Sequence, residues 1–185
     1  MKEKNRAVFL DRDGVINKEV HHLHRKEELE LLPGAGKAIW RLNNSPYKVI
    51  VVTNQSVVAR GMCSEDKLEE IHEELESMLE TKGAHLDGIY FCPHHPEGKV
   101  EKYSRVCGCR KPAIGLLEQA RSDFNLDLER SFLVGDSTSD IKAGSDAECS
   151  TILVGTGYGG SDGEYNVRAD YECGDLGEAA KLIIN

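Results

Sequence analysis

Two aspartates one residue apart, Asp11 and Asp13, are the residues of this 185-residue chain best suited to do chemistry. They follow the predicted buried strand 6–10 and precede Gly14, which favours a sharp turn. Because alternate residues of an extended chain point the same way, both carboxylates can share one side of the strand end. There they could supply a nucleophile, a proton donor or acceptor, and ligands for a metal ion. An ordinary acidic turn has the same composition, so other motifs must decide between these interpretations.

Polar residues also follow two later apolar segments, 48–52 and 131–134, and a pair of basic residues lies between them in the chain. Carboxylate oxygens can hold Mg²⁺, hydroxyl and ammonium groups can hold phosphoryl oxygens, and a carboxylate can attack phosphorus. Each group alone fits turn or surface chemistry, but together with the two aspartates they predict a phosphoryl-transfer site. The candidates are Thr53, Asn54, Gln55, Ser56, Arg110, Lys111, Asp136 and Asp140.

A second pattern pairs a Cys-x-His sequence with a Cys-x-Cys sequence across a polar loop, 92–109. Two pairs of nitrogen and sulfur ligands are typical of a closed tetrahedral Zn²⁺ site. Such a zinc is structural, because no coordination position stays open, and it would fix the adjoining Arg110 and Lys111. Free thiols are the alternative to zinc, and His95 is an alternative to the first histidine. The candidate ligands are Cys92, His94, Cys107 and Cys109.

The elements that must position these residues alternate between apolar strands and amphipathic helices, which predicts an α/β fold with a parallel sheet and helices on both faces. In such a sheet, ligands bind beyond the carboxyl ends of the strands, where the candidate residues fall. The predicted strands are 6–10, 48–52, 89–91, 131–134 and 151–154. The predicted helices are 34–43, one that begins at Ser64, one that carries Ile114, Leu117 and Phe124, and 176–184.

One glycine pattern, Gly155-x-Gly157-x-x-Gly160, follows a predicted strand and is similar to a dinucleotide-binding sequence. No apolar helix begins after it, because residues 161–164 are Ser, Asp, Gly and Glu. We therefore interpret this segment as a flexible loop and expect no nucleotide there.

Length and composition set limits on the protein as a whole. A chain of 185 residues without a Pro/Gly/Ser-rich linker predicts a single domain, 1–185, with one core. The charged N-terminus and the lack of a long apolar run predict a cytoplasmic protein without membrane contact. Its net charge of −9 speaks against nucleic acid, and we expect a monomer whose partner is a small phosphorylated molecule.

The motifs, taken in order, resemble the four sequence motifs of the haloacid dehalogenase superfamily of phosphohydrolases. They read Asp11-x-Asp13-Gly14, Thr53-Asn54, Lys111-Pro112 and Gly135-Asp136-x-x-x-Asp140. The resemblance implies a Rossmann-like fold in which Asp11 is the nucleophile that forms an aspartyl phosphate and Asp13 is the general acid and base. It also implies Mg²⁺ bound by Asp11, by the backbone carbonyl of Asp13 and by Asp136.

The same resemblance assigns the remaining motif residues. Thr53 and Lys111 would neutralise and orient the transferring phosphoryl group, and Asp140 would orient its neighbours without binding the metal. Asp13 must be protonated in one half of the reaction and ionised in the other. The neighbouring carboxylates would raise the pKa of Asp13 and the charge of the metal would lower it, and the sequence does not decide which effect prevails.

The zinc loop, with segments 52–56 and 59–61, resembles one branch of this superfamily, the heptose-bisphosphate phosphatases, whose spacing favours His94 as the ligand. That branch removes the C7 phosphate of D-glycero-D-manno-heptose 1,7-bisphosphate on the way to lipopolysaccharide or nucleotide-activated heptoses. Histidinol phosphatases, which usually have a shorter loop, are the alternative, and a catalytically inactive zinc-structured binding module is another. The short interval between Asp13 and Thr53 leaves no room for a large cap domain inserted after the first motif. Arg60 or Arg110 could bind the retained phosphate, and the resemblance favours Arg110, whose matching position contributes to substrate recognition.

Two positions depart from that branch. Segment 19–24 reads Glu-Val-His-His-Leu-His, where the branch carries a different loop, and this puts Glu19 forward as a candidate for substrate contact. Ser137 stands where a lysine often follows the metal-binding aspartate of the last motif. Both departures bear on which phosphorylated molecule the site accepts.

Overall fold

The computed structural model describes residues 4–185 and contains a sheet of six parallel strands in the order β3-β2-β1-β4-β5-β6. The predicted α/β class is confirmed. The strands are β1 (Arg6–Leu10), β2 (Tyr47–Asn54), β3 (Gly88–Cys92), β4 (Phe132–Gly135), β5 (Ser150–Val154) and β6 (Tyr171–Cys173). The helices are α1 (Ala35–Asn43), α2 (Glu65–Glu80), α3 (Gly115–Phe124), α4 (Thr138–Asp146) and α5 (Leu176–Ile184). Short 3₁₀ helices span Lys26–Glu28, Glu101–Tyr103 and Leu128–Arg130.

Strand β1 shows why helices cover both faces of the sheet. Its residues 7–10 are all apolar and fully buried. Val8 and Leu10 belong to one apolar cluster, which they share with residues of α1, α2 and α5. Ala7 and Phe9 point the other way, into a second cluster with residues of α3 and α4. A strand that is buried on both faces needs an apolar side chain at every position, and β1 provides it.

The predicted elements differ from the structure in three places. Strand β2 continues to Asn54, so Thr53 and Asn54 end the strand and do not follow it. The sequence does not predict α4, whose first turn is held by a capping box between Ser137 and Asp140. It also does not predict β6, which is three residues long and mostly exposed at the edge of the sheet.

The order of the strands reverses between β1 and β4, and a crevice forms beyond their carboxyl ends. Leu10, the last residue of β1, is aligned with Val51 of β2 and Val134 of β4. Residues 11–34, which connect β1 to α1, contain one short 3₁₀ helix and no cap domain. Within residues 4–185, no helix has the length and apolar character needed to span a membrane.

Candidate active site

A cavity of about 680 Å³ opens at the carboxyl ends of the strands. The residues that line it come from the loop after β1, the end of β2, the zinc loop and the turn between β4 and α4. Among the predicted site residues, the lining includes Asp11, Asp13, Glu19, Asn54, Gln55, Ser56, Arg60, Arg110, Lys111, Asp136 and Asp140. Thr53 lies behind this wall: it is 1% exposed, and its hydroxyl accepts a hydrogen bond from Gln55 Nε2 at 2.9 Å.

Lys111 is the cation at the floor of the cavity. Its Nζ lies 3.0 Å from Asp11 Oδ1, 2.6 Å from Asp140 Oδ1 and 2.7 Å from the carbonyl oxygen of Val52. Burial alone would lower the pKa of Lys111, but the two carboxylates outweigh burial and raise the pKa above its usual value. The side chain of Asn54 fixes the Lys111 backbone, since its Oδ1 accepts from the Lys111 amide and its Nδ2 donates to the Lys111 carbonyl. Asn54 therefore positions the lysine from the end of β2.

Three carboxylates, from Asp11, Asp136 and Asp140, have oxygens within 4.8 Å of one another. Burial is the largest effect on Asp11, and it raises the pKa to about 6 even though Lys111 acts in the opposite direction. Burial, followed by the charges of Asp11 and Asp140, raises the pKa of Asp136 to about 8. Lys111 alone does not balance three carboxylates, which makes the cluster a fitting site for a hard divalent cation that takes oxygen ligands.

Asp140 differs from the other two carboxylates because both of its oxygens are already engaged. Oδ1 pairs with Lys111, and Oδ2 accepts hydrogen bonds from the backbone N–H and the hydroxyl of Ser137 at 3.1 and 2.7 Å. This geometry agrees with the expectation that Asp140 orients its neighbours. Ser137, which stands where a lysine was expected, serves as the first residue of the capping box of α4.

Asp13 lies in a separate set of hydrogen bonds. Arg12 Nη2 is 2.9 and 3.0 Å from its two oxygens, Asn17 Nδ2 is 2.8 Å from Oδ1, and Gln55 Nε2 is 2.9 Å from Oδ2. Burial pushes the pKa of Asp13 upward, but the charge of Arg12 and these hydrogen bonds prevail, so the pKa lies below its usual value. The sequence left open which effect sets the pKa of Asp13, and in the structure the outcome is a lowered pKa. Its cause is the fully buried Arg12, whose importance the sequence interpretation missed.

The glycine-rich segment after β5 forms part of the site. The backbone N–H of Tyr158 donates to Asp136 Oδ2 at 2.7 Å, and the N–H of Gly160 donates to the Asp136 carbonyl at 2.7 Å. Gly14 and Gly157 both have positive φ angles, and a Cβ at either position would collide with the Asp136 carboxylate. The sequence interpretation treated this segment as a flexible loop and did not predict that its backbone holds a candidate metal ligand.

The zinc loop brings its four candidate ligands together. The Sγ–Sγ distances are 3.5 Å for Cys92–Cys107, 3.3 Å for Cys107–Cys109 and 3.1 Å for Cys92–Cys109. His94 Nδ1 lies 3.6 Å from Cys92 Sγ and 3.4 Å from Cys109 Sγ. A zinc–sulfur bond of about 2.3 Å gives tetrahedral edges of about 3.8 Å, so the donor set fits Zn²⁺. Burial and the charge of Arg105 lower the pKa of His94, which favours the neutral ring that a metal ligand requires.

His95, the alternative zinc ligand, lines the cavity and is not part of the cysteine cluster found among the described residues. Its Nδ1 accepts a hydrogen bond from the backbone N–H of Glu97 at 3.1 Å, and its Nε2 is 3.4 Å from Arg60 Nη2. Arg110, which follows the last cysteine, donates from Nη1 to the carbonyl of His94 at 3.4 Å. The loop thus joins the cysteine cluster to two arginines of the cavity.

The segment 19–24, which departs from the expected loop, borders the cavity opposite the zinc loop. Glu19 accepts a hydrogen bond from the backbone N–H of His21, and the pKa of Glu19 is raised, first by burial and then by the charge of Asp13. His21 Nδ1 lies 3.1 Å from the hydroxyl of Tyr158. This contact connects the loop after β1 with the glycine-rich segment after β5.

Comparisons with known proteins agree with this geometry. The family model described as HAD-hydrolase-like matches residues 108–179. The D-glycero-beta-D-manno-heptose-1,7-bisphosphate 7-phosphatase of Yersinia pestis is 38% identical over 96% of this chain and 94% of that protein. The protein of the same name from Escherichia coli K12 is 41% identical over 82% of this chain and 80% of that protein.

A solved structure extends the comparison. The crystal structure of D,D-heptose 1.7-bisphosphate phosphatase from B. bronchiseptica, complexed with magnesium and phosphate, matches with a TM-score of 0.86 and 32% identity, and the match covers 96% of this chain and 97% of that chain. The parallel sheet and the carboxylate cluster, with these similarities, define a hydrolase of the haloacid dehalogenase class. Since the matches to relatives of this name cover 80–96% of their length at 38–41% identity, the chain belongs to the family of the D-glycero-beta-D-manno-heptose-1,7-bisphosphate 7-phosphatases. The family resemblance inferred from the motifs is confirmed.

Proposed function

We propose that the protein is a Mg²⁺-dependent phosphatase that removes the C7 phosphate of D-glycero-β-D-manno-heptose 1,7-bisphosphate. The product would be heptose 1-phosphate, a precursor of lipopolysaccharide or of nucleotide-activated heptoses. The observation that carries the proposal is that Lys111 holds Asp11 at the floor of a cavity that Arg60 and Arg110 also line. A nucleophile beside one cation, with two further cations in the same cavity, suits a substrate with two phosphate groups. The names of the similar proteins support this substrate.

Asp11 would attack phosphorus and form an aspartyl phosphate. Its Oδ1 accepts a hydrogen bond from Lys111, and Oδ2 would be the oxygen that attacks. As the new oxygen–phosphorus bond forms, the bond from phosphorus to the sugar oxygen breaks, and Asp13 donates a proton to that oxygen. Ionised Asp13 then takes a proton from the water that attacks the intermediate. This second step releases phosphate and restores Asp11.

The surroundings of Asp13 favour its ionised form, which is the form that the base step requires. Arg12, Asn17 and Gln55 keep the pKa of Asp13 below its usual value, so the free protein holds it ionised. The acid step requires the opposite state. A negatively charged phosphate group bound beside Asp13 raises its pKa, because a second negative charge disfavours ionisation.

Mg²⁺ would be held by Asp11, by Asp136 and by the backbone carbonyl of Asp13. When bound, such an ion supplies positive charge against the phosphoryl oxygens. Lys111 would contribute a donor to the same oxygens, and the loss of one donor in a comparable electrostatic site costs about 2.7–4 kcal/mol. Thr53, which was expected to be a second donor, lies behind the cavity wall against Gln55 and is left out of this set. Asp140 is left out of this set, since Lys111 and Ser137 occupy both of its oxygens.

Zn²⁺ would be held by Cys92, His94, Cys107 and Cys109 and would keep the loop that carries Arg110 in place. For the substrate itself, Glu19 and Ser56 lie at the cavity wall, where they could contact sugar hydroxyl groups. We further propose that the chain works in the cytoplasm as a monomeric single domain, 1–185. Size-exclusion chromatography with light scattering tests the oligomeric state, and a mass well above 20.5 kDa would exclude the monomer.

A substrate panel tests the proposed function. Purified protein is incubated with MgCl₂ and with both anomers of the heptose 1,7-bisphosphate, or with histidinol phosphate, and released phosphate is measured. We expect the heptose bisphosphate to have the highest kcat/KM. Equal or faster release from histidinol phosphate would overturn the substrate assignment.

The Asp11→Asn variant tests the mechanism with the same assay. Asparagine keeps the shape of the side chain but cannot form the acyl phosphate, so we expect phosphate release to be lost in a folded protein. Asp146→Asn, at an exposed residue of α4, is the matched control and should keep full activity. Wild-type activity in Asp11→Asn would exclude the aspartyl-phosphate mechanism, and an inactive wild-type chain would favour the binding-module alternative.

A further inference from the structure

Arg12 is a fully buried guanidinium between two reactive aspartates. It has no exposed surface, and its Nη2 donates to both oxygens of Asp13 and to Gln55 Oε1 at 2.9 to 3.0 Å. Gln55 returns a hydrogen bond from Nε2 to Asp13 Oδ2. These three side chains form a closed ring of hydrogen bonds. The orientation of the Asp13 carboxyl therefore depends on the orientation of the guanidinium plane.

The other terminal nitrogen of Arg12 reaches out of this ring to helix α2. Nη1 lies 3.2 Å from Nε2 of His72, which is 6% exposed and whose ring packs against Phe91 of β3 at a centroid distance of 5.5 Å. An arginine only donates, so His72 must accept at Nε2 and carry its proton on Nδ1. Burial, and then the charge of Arg12, lowers the pKa of His72 to about 3, and the ring is therefore neutral at physiological pH. Within residues 4–185, His72 Nε2 is the acceptor found for Arg12 Nη1.

We propose that His72 and Arg12 are positioning residues, which together hold the carboxyl of Asp13 in the orientation that proton transfer requires. His72 fixes one end of the planar guanidinium from helix α2, and Gln55 fixes the other end from the loop after β2. A guanidinium that is held at both ends presents its donors to Asp13 in a fixed plane. The inference rests on the proposed acid–base role of Asp13 and adds the residues that orient its carboxyl group for proton transfer.

Replacement of His72 by leucine would leave Arg12 Nη1 without an acceptor in a buried place. The guanidinium would then turn toward another acceptor or water, because an unpaired buried donor is costly. The carboxyl of Asp13 would follow this rotation through its two bonds to Nη2. Binding of the phosphate group by Lys111 and the arginines of the cavity does not involve His72. The loss should therefore appear in proton transfer and leave substrate binding intact.

Two leaving groups distinguish this role from a general structural role. A sugar oxygen leaves as a poorly stabilised alkoxide and needs the proton of Asp13, whereas p-nitrophenolate leaves without one. General acid–base catalysis contributes about 10²–10⁴-fold, so we expect His72→Leu to lower kcat/KM for the heptose bisphosphate by about one order of magnitude. We expect kcat/KM for p-nitrophenyl phosphate, and KM for the sugar substrate, to change by less than about twofold.

Two further variants serve as rescue and control. His72→Gln offers an amide oxygen to Arg12 Nη1 and should recover most of the activity on the sugar substrate. Leu75→Ala removes a fully buried side chain one turn along α2, so it lowers the thermal midpoint without removing a partner of Arg12. It should affect both substrates equally. Should His72→Leu fail to fold, His72→Met, with a flexible side chain that fits irregular spaces, takes its place.

Equal losses on the two substrates in His72→Leu, or no rescue in His72→Gln, would overturn the inference while the wild type remains active. A wild-type protein that releases no phosphate from the heptose bisphosphate would refute the proposed function first, and the inference with it.

Discussion

Asp136 is predicted to destabilise the magnesium-free fold. Burial, Asp11 and Asp140 raise its pKa from an ordinary 3.8 to about 8. The folded protein thus keeps a proton on Asp136 at a pH where the unfolded chain has released it. Below pH 3.8 both the folded and the unfolded state hold this proton, so Asp136 costs no free energy of unfolding. As the pH rises from 3.8 to about 8, the free energy of unfolding falls by the full amount that Asp136 costs. At about 1.4 kcal/mol per pKa unit, the loss is on the order of 5 kcal/mol, part of which is shared with the neighbouring Asp11.

The Asp136→Asn variant removes this effect without removing the local hydrogen bond. Its amide oxygen can still accept from the backbone N–H of Tyr158, whereas the charge is gone. We expect the variant to unfold at higher urea concentration than the wild type near pH 8 in magnesium-free buffer, by an equivalent of a few kcal/mol, and the gain to shrink toward pH 5. We also expect the variant to lose phosphatase activity and the stabilisation that MgCl₂ gives the wild type.

Urea titrations near pH 5 and pH 8, with and without MgCl₂, make the measurement. The buffers contain no strong chelator, so that the zinc loop stays loaded. Asp146→Asn, which removes an exposed carboxylate at the end of α4, is the control and should leave the pH dependence unchanged. An Asp136→Asn protein that is less stable than the wild type near pH 8, or that keeps the wild-type pH dependence, would refute the reasoning.

Three further predictions concern the cation, the backbone and the second metal site. Lys111→Met leaves buried carboxylates unpaired and should lower the free energy of unfolding by about 3–5 kcal/mol in a denaturant titration, whereas an unchanged midpoint would exclude this ion pairing. Gly157→Ala places a Cβ against Asp136 and should raise the Mg²⁺ concentration for half-maximal activity by about 10–100-fold, and an unchanged value would contradict it. A joint Cys107→Ser and Cys109→Ser change should reduce zinc in elemental analysis from about one equivalent to background, and retained zinc would exclude the site.

The fold and the main site residues could be predicted because their chemistry leaves few choices of residue type. Asp11, Lys111 and Asp136 lie at the cavity floor, as their positions at strand ends and in the loops between strands indicated. The cysteine cluster forms as predicted from two short ligand pairs. These features depend on local sequence plus one rule, that parallel strands end on the same side of a sheet.

Other features depend on contacts between distant parts of the chain, which a local pattern does not reveal. His72 looks like one polar residue on the face of α2, and only the fold places it 3.2 Å from Arg12. Gly157 belongs to a segment with no apolar pattern, and its backbone matters only because Asp136 approaches it. Helix α4 was not predicted from the sequence. Its Asp140 is both a motif residue and a capping side chain, and the sequence interpretation considered only the first role.

The distribution of charge explains how four carboxylates in one small site can have different roles. Asp11 and Asp140 pair with Lys111, whereas Asp136 is in none of the ion pairs found among residues 4–185. In the free protein, burial and the charges of the cluster raise the pKa values of Asp11 and Asp136, and a divalent cation would favour their ionised forms. Asp13 has a smaller part in that competition, because its charge raises the pKa of Asp11 less than that of Asp140 does and Arg12 balances it. The separation keeps one carboxylate available for proton transfer while its neighbours are committed to a cation, and the buried Arg12 maintains it.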